Sequence, residues 1–389
     1  MKSPARLFYP LALLVALLLI LFLLTRPQPG VQVTILSPLA VPRDAAPAVS
    51  PSATSLRIAT YNLENYTDGD FDAPARTPAA VAAQTADAAA IIARADPDIL
   101  FLQEIENAAA LRRLNAALPA PYPYAYITRY RTGNNLPVRI NEALLSRVAP
   151  VEVRQLSFNR LPSGARPARG ALAARFALAP GRDLLAYGMH LKSNFGIPYR
   201  NIAQRTVALH LLAADAAAER FLVSDRADLS VLLLGDTNVD PDAAEFAADP
   251  SLDALVGGYV DLWRGRPLPE RTTLPTRQAG PDGDTNLVFR PAAFDRIFAS
   301  RDLAEDPASP AARPPLPPLP LPPDAAADLL AAAAATPLAF PYAPAPRYRV
   351  SPPVALPLGC ATNDNLLVPG YGGHVSDHYL VYLDLSPAP

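Results

Sequence analysis

The chain has 389 residues, 50% of them hydrophobic and 18% charged, with a formal net charge of −2. That length allows a large buried core, and the charge balance excludes both a disordered acidic chain and a strongly basic nucleic-acid coat. The 46 prolines, roughly twice the usual share, call for long non-helical connections, and the single cysteine, Cys360, excludes intrachain disulfides and multi-cysteine metal or redox sites.

In chain order, the first element is an apolar run, Leu7–Leu24, broken only by Tyr9 and Pro10 and preceded by Lys2 and Arg6. At about 1.5 Å per helical residue it reaches ~27 Å, close to one hydrocarbon core. Residues 1–26 thus read as a transmembrane anchor or a signal segment, with the remainder outside the cytoplasm. The anchor fits the length better, because Leu23-Leu24-Thr25-Arg26 lacks the small residues of a cleavage site. Pro27–Ser55, rich in Pro, Ala and Ser, is expected to be a tether with no core of its own.

From Leu56, short hydrophobic runs alternate with alanine-rich stretches. Strands are expected over Leu56–Asn62, Asp98–Gln103, Glu142–Arg147, Ala171–Leu178, Asp183–Leu191, Leu229–Gly235, Phe294–Ser300 and His378–Leu385. Helices are expected over Pro78–Ala95, Ala108–Ala117 and Tyr199–Val223, the first with Thr77 as N-cap and Pro78 at the first helical position. Short, mixed strands of this kind suit an α/β protein with antiparallel or mixed sheets. Pro307–Pro357, with a polyproline stretch and then an alanine-rich one, reads as an insertion on the domain of residues 56–389.

Polar residues stand where these hydrophobic runs stop: Asn62 and Glu64, Glu104, His190, Asp236 and Asn238, Asp295, and the pair Asp377-His378. One such residue is an ordinary turn former; six strand ends of this kind point to a shared rim, where strands hold ionisable groups still. Asn62, Glu104 and Asp377 are hard oxygen donors, suited to Mg²⁺ or Mn²⁺ and poorly to zinc. No phosphate-cradling GxxxxGK[ST] loop is present. Ser376-Asp377-His378 is no serine triad, since neighbours on a strand face opposite ways and no GxSxG turn exists. A metal-bound carboxylate, a water-activating Asp and a carboxylate–histidine pair make the equipment for phosphate-ester hydrolysis.

The ordered segments Thr60–Asn65, Leu102-Gln103-Glu104, His190–Ser193, Gly235-Asp236-Thr237-Asn238, Phe294–Ile297 and Ser376-Asp377-His378 resemble the motifs of the endonuclease/exonuclease/phosphatase family. That family includes abasic-site endonucleases, pancreatic-type deoxyribonucleases, sphingomyelinases and inositol-polyphosphate phosphatases. The resemblance implies a four-layer α/β sandwich of two packed mixed sheets flanked by helices. It implies metal ligation by Glu104 with Asn62 and Asp377 nearby, and Glu64 where some members place a further metal-serving acid. Asp236 would activate water, Asn238 would steady it or bond the phosphate, and His190 and His378 would hold phosphate oxygens, His378 kept basic by Asp295. Lys192 and Asn194, just after His190, are candidates either for substrate contact or for shaping their loop. His210, on the long helix, reads as structural.

The resulting expectation is an exported or membrane-tethered Mg²⁺-dependent phosphodiesterase, with Mn²⁺ as the alternative ion, acting on nucleic acid. A sphingomyelinase-like phospholipid phosphodiesterase and an inositol-phosphate phosphatase are the alternatives within the same chemistry. A catalytically silent surface binding protein is the alternative outside it.

Overall fold

The computed structural model describes residues 30–50, 55–70, 77–132, 134–161, 166–224, 228–275, 277–278, 288–304, 348–360 and 375–387. Its strands are β1 (Gln32–Ile35), β2 (Leu56–Tyr66), β3 (Ile99–Ile105), β4 (Tyr124–Ile127), β5 (Asn141–Ser146), β6 (Glu152–Ser157), β7 (Ala171–Ala179) and β8 (Arg182–His190). They continue with β9 (Asp228–Asp236), β10 (Tyr259–Asp261), β11 (Arg277–Gln278), β12 (Val288–Phe289), β13 (Asp295–Ser300), β14 (Tyr348–Val350), β15 (Val354–Leu356) and β16 (Leu380–Pro387). The helices are α1 (Pro78–Ala95), α2 (Ala108–Ala117), α3 (Pro198–Val223) and the short α4 (Leu268–Arg271).

Alternation of side chains along the strands builds the layers. In β9, Leu232 and Leu234 join the core between the two sheets, whereas Val231 and Leu233 pack outward on α3. In β3, Ile99 and Phe101 face the inter-sheet core while Leu100 and Leu102 face α1 and α2. The result is four layers: α1 and α2, a sheet, a second sheet, α3. The first sheet runs β1-β6-β7-β8-β9-β13-β10 and the second β14-β16-β2-β3-β5-β4, with β15 also paired to β16. Both are mixed, as expected, and each contains one parallel pair: β8 with β9, and β2 with β3. The carboxyl ends of both pairs come to one rim of the sandwich.

The helices start where local chemistry directs. The Thr77 hydroxyl accepts from Ala80 N at 3.1 Å, Pro78 sits in the first turn, and α1 ends at the left-handed Asp96. Asn107 caps α2 by accepting from the N–H groups of Ala109 and Ala110.

Three expectations are corrected. Residues 30–50 of the segment read as a tether are bound along the domain: β1 pairs with β6, Leu39 N donates to Ala125 O, and Val49 N donates to Arg147 O. Leu36 and Val49 pack on the inter-sheet core, and Leu39 and Val41 on the second sheet, so the strap links both sheets despite its prolines. The expected insertion at 307–357 ends earlier than its last ten residues, because Tyr348–Val350 and Val354–Leu356 are strands paired to β16. The last strand begins at Leu380, leaving Asp377 and His378 in the turn before it. The apolar run Leu7–Leu24 and the proline-rich part of the insertion lie outside the described residues, among which no helix is long and apolar enough to cross a membrane.

Candidate active site

The inter-sheet face of each central strand is an apolar ladder whose last rung at the rim is polar. On β9 the ladder Leu232, Leu234 is followed by Asp236; on β8, Leu184 and Ala186 lead to His190; on β13, Asp295 precedes Ile297 and Ala299. Strand register sets these three side by side, with His190 opposite Asp236 and Asp236 opposite Asp295. Gly235 permits this, since its φ is +141° and a Cβ there would lie 2.0 Å from Met189 O.

Asn62 ends the corresponding ladder of β2 and reaches across from the other sheet. Its Nδ2 donates to Asp236 Oδ2 at 3.1 Å and approaches Glu104 Oε1 at 3.4 Å. Glu104 itself would face the helices by simple alternation with Leu100 and Leu102. A register shift between Leu102 and Ile105, with Glu104 at φ +63°, turns it to the rim instead. There it accepts from Asn65 N at 2.8 Å and lies 3.6 Å from His190 Nε2.

Asp236 is 98% enclosed and tightly held. Asn238, at φ +55°, donates its backbone N–H to Oδ1 at 2.8 Å and its amide to Oδ2 at 3.1 Å. His190 Nε2 stands 3.4 Å from Oδ2 and His378 Nε2 3.8 Å from it. His378 Nδ1 donates to Asp295 Oδ2 at 2.6 Å, and Asp377 Oδ1 lies 3.7 Å from His378 Nε2. Ser376 positions this turn by donating to Asn62 O at 2.6 Å while accepting from His378 N at 3.0 Å. The structure therefore brings Asn62, Glu104, His190, Asp236, Asn238, Asp295, Asp377 and His378 into one cluster drawn from both sheets.

The remaining candidates lie around it. Glu64 is in the left-handed turn after Asn62 and is partly exposed, its N–H donating to Asn62 Oδ1 at 3.0 Å. Of the two readings open for Lys192 and Asn194, substrate contact or loop shaping, their hydrogen bonds are those of loop shaping. Lys192 Nζ donates to Ser193 O, Ser193 Oγ and Phe195 O at 2.7–3.0 Å, and Asn194 Nδ2 donates to Asn238 O at 2.8 Å. His210 is half-buried on α3, away from the cluster's contacts.

Sequence reasoning missed the groups that seat Asp295. Thr273 Oγ1 accepts from Phe294 N and Asp295 N at 3.0 and 2.9 Å, its carbonyl accepts from Tyr379 N, and Trp263 Nε1 donates to Asp295 O at 2.9 Å. Asp240, fully buried, binds Arg271 and Arg296 beneath the same loop. Nothing in a lone Thr, Trp or Asp of the sequence distinguishes them; only the tertiary fold does.

Burial and charge separate the two imidazoles. Burial, with Arg169 and His378 adding to it, lowers His190 well below the usual histidine value, leaving it neutral at pH 7. Burial opposes protonation of His378 too, but Asp295, Asp377 and Asp236 outweigh it and hold His378 well above that value. Burial pushes Asp236 up to about 7 against the pull of His378, with Asp295 and Glu104 pushing the same way. A carboxylate of that affinity suits a base working near neutrality.

The donor set tests which ion would fit. Among the described residues no three His, Cys, Asp or Glu side chains form a metal-binding group, so a closed zinc-type centre does not fit. One rim carboxylate, Glu104, beside the Asn62 amide and within a cluster of excess negative charge, fits a hard divalent ion that keeps most of its waters. A base poised near neutrality between a neutral and a protonated imidazole, at the carboxyl end of a two-sheet sandwich, equips a phosphoric ester hydrolase. The chain belongs to the Endonuclease/Exonuclease/phosphatase family, whose model matches residues 59–315.

Similar solved structures include TDP2 of D. rerio complexed with single strand DNA product, at 19% identity and TM-score 0.49 over 86% of this chain and 99% of that one. An endonuclease/exonuclease/phosphatase from Beutenbergia cavernae is similar at 16% identity and TM-score 0.48, covering 86% and 72% of the two chains. A family protein from Bacteroides thetaiotaomicron is similar at 17% and 0.49, covering 86% and 96%. No curated protein matches the sequence.

Proposed function

We propose that the protein is a divalent-metal-dependent phosphodiesterase of nuclease type, its catalytic domain standing outside the cytoplasm behind the apolar segment Leu7–Leu24. The observation that carries the chemistry is Asp236, pinned by amides from both sheets and facing two imidazoles in opposite charge states. A phosphodiester repels nucleophiles through its own charge, so hydrolysis needs positive groups at the non-bridging oxygens and a water aimed in line.

Asp236 takes the proton of that water, and Asn62 and Asn238 keep its carboxylate from turning away. His378, protonated and held through Nδ1 by Asp295, offers Nε2–H to a phosphate oxygen. His190, neutral, offers Nε2–H without adding charge. Glu104, with Asn62 or Asp377, would hold Mg²⁺ or Mn²⁺, and the ion when bound offsets negative charge on the phosphate and the departing oxygen. Export rests on the N-terminal apolar run alone.

The test is release of 4-nitrophenol from bis(4-nitrophenyl) phosphate with Mg²⁺ or Mn²⁺. Asp236→Asn is expected to lower turnover by about 10²–10⁴-fold while leaving metal affinity nearly unchanged. A fully active Asp236→Asn would remove it as the base. No turnover by the wild type with either metal would favour a silent binding scaffold.

A further inference from the structure

Beside the catalytic cluster lies a cavity of about 380 Å³ whose lining includes Tyr130, Arg131, Arg166, Arg169 and Lys192. Among the described residues none of the three arginines forms an ion pair. Each spends one guanidinium nitrogen on a backbone carbonyl: Arg131 on Asn135 O at 2.8 Å, Arg166 on Asn159 O at 3.1 Å, Arg169 on Leu191 O at 2.9 Å. Five donors per guanidinium leave most of each fork uncommitted. The nearby carboxyl of Glu142, bonded to Tyr130 at 3.1 Å, does not balance them, because burial raises its proton affinity to about 8. The cavity is joined to the centre through Leu191, the residue after His190, whose carbonyl also accepts from Asn238 at 3.3 Å.

The loop leaving this cavity presents Phe195, Ile197 and Tyr199 to solvent at 65%, 44% and 60% exposure. Its backbone is fixed. Phe195 O accepts from Lys192 Nζ and Asn201 Nδ2, Asn194 bonds Asn238, and Arg205, itself paired with Asp249, donates to Lys192 O and Asn194 Oδ1. Three large apolar side chains in five residues, held out beside the centre, form a ledge rather than scattered surface.

We propose that the arginine-lined cavity and the Phe195–Tyr199 loop together hold a single-stranded nucleic acid, neighbouring phosphates entering the cavity and unpaired bases stacking on the aromatic ledge. This rests on the phosphodiesterase reading and specifies its substrate. Cations lining a cavity next to exposed aromatics match a strand in which anionic phosphates alternate with planar bases. A duplex keeps its bases stacked inside. A phosphocholine lipid offers one phosphate and a quaternary ammonium, which this set of cations repels.

The full-length chain in detergent, with Asp236→Asn to prevent turnover, is titrated by fluorescence anisotropy with a labelled oligothymidylate of about twenty nucleotides, longer than a typical footprint of ~4–16. Arg166→Gln is expected to reduce the slope of log affinity against log salt by about 0.7. Phe195→Ser should leave that slope alone and weaken binding by about five- to a hundredfold. Arg349→Gln, at the far end of the sandwich, should change neither. Arg349→Gln on an intact Asp236 should hydrolyse bis(4-nitrophenyl) phosphate within about twofold of the wild-type rate, as an exposed substitution far from the centre. Unchanged oligonucleotide affinity and slope in both variants would overturn the proposal. So would a Phe195→Ser protein that loses turnover of sphingomyelin in mixed micelles while binding the oligonucleotide normally. Absence of diester turnover in the wild type, with the binding pattern intact, would instead refute the hydrolase reading alone.

Discussion

Glu64, Asn65, Glu104 and Asn238 all sit in left-handed backbone, at φ between 44° and 63°, and all lie at one rim. Each such residue costs about 1 kcal/mol or more, tolerated because the surrounding sheets over-determine it. Glu142 is the other unusual residue, a fully buried carboxyl whose Oε2 accepts from the Tyr130 hydroxyl at 3.1 Å. Folded, it keeps its proton to about pH 8; unfolded, it releases it near 4.5. Between those values the native state binds more protons, so stability falls as pH rises through the window and levels off above it. Glu142→Gln is expected to abolish that slope and to exceed the wild type at pH 8 by about a few kcal/mol, measured as denaturation midpoints across the range. Parallel pH profiles would dismiss the account.

At the level of elements, Gly235 governs how β9 lies against β8. Gly235→Ala places a methyl against Met189 O in a backbone region closed to alanine, and is expected to cost about 3 kcal/mol or more and most of the turnover. Denaturant unfolding and the diester assay check both halves. Strands that are near-continuous apolar runs, such as β8 and β9, were legible in the sequence, as were α1 with its Thr77 cap and the span of α2. β6 was not: its Arg154 is buried because Asp215 and Glu219 of α3 receive it at 2.9 and 2.8 Å, which hides a charged residue where alternation demands an apolar one. β1 escaped because Val33 and Ile35 remain exposed on an edge. The strand-end acids, amides and imidazoles of the site could be read from local runs. The turning of Glu104 and the bond from Asn62 to Asp236 could not, since one depends on a register shift and the other on how two sheets dock.

For the molecule as a whole, the strap of residues 30–50 crosses from the first sheet to the second, setting Leu36 and Val49 on the inter-sheet core and Leu39 and Val41 on the second sheet. Removing residues 1–50 is expected to lower unfolding free energy by roughly 3 kcal/mol or more from lost apolar burial, detectable as a lower denaturant midpoint of the shortened chain. An unchanged midpoint would show the strap to be energetically idle. The link from Asn62 to Asp236 carries a further consequence. Neither half of the sandwich owns a working centre: one brings Asn62 and Glu104, the other His190, Asp236 and Asp295, and the last turn closes His378 over both. A nascent polypeptide with only one of its layers assembled is therefore inert, and the moment hydrolysis begins during refolding marks the instant the two halves meet.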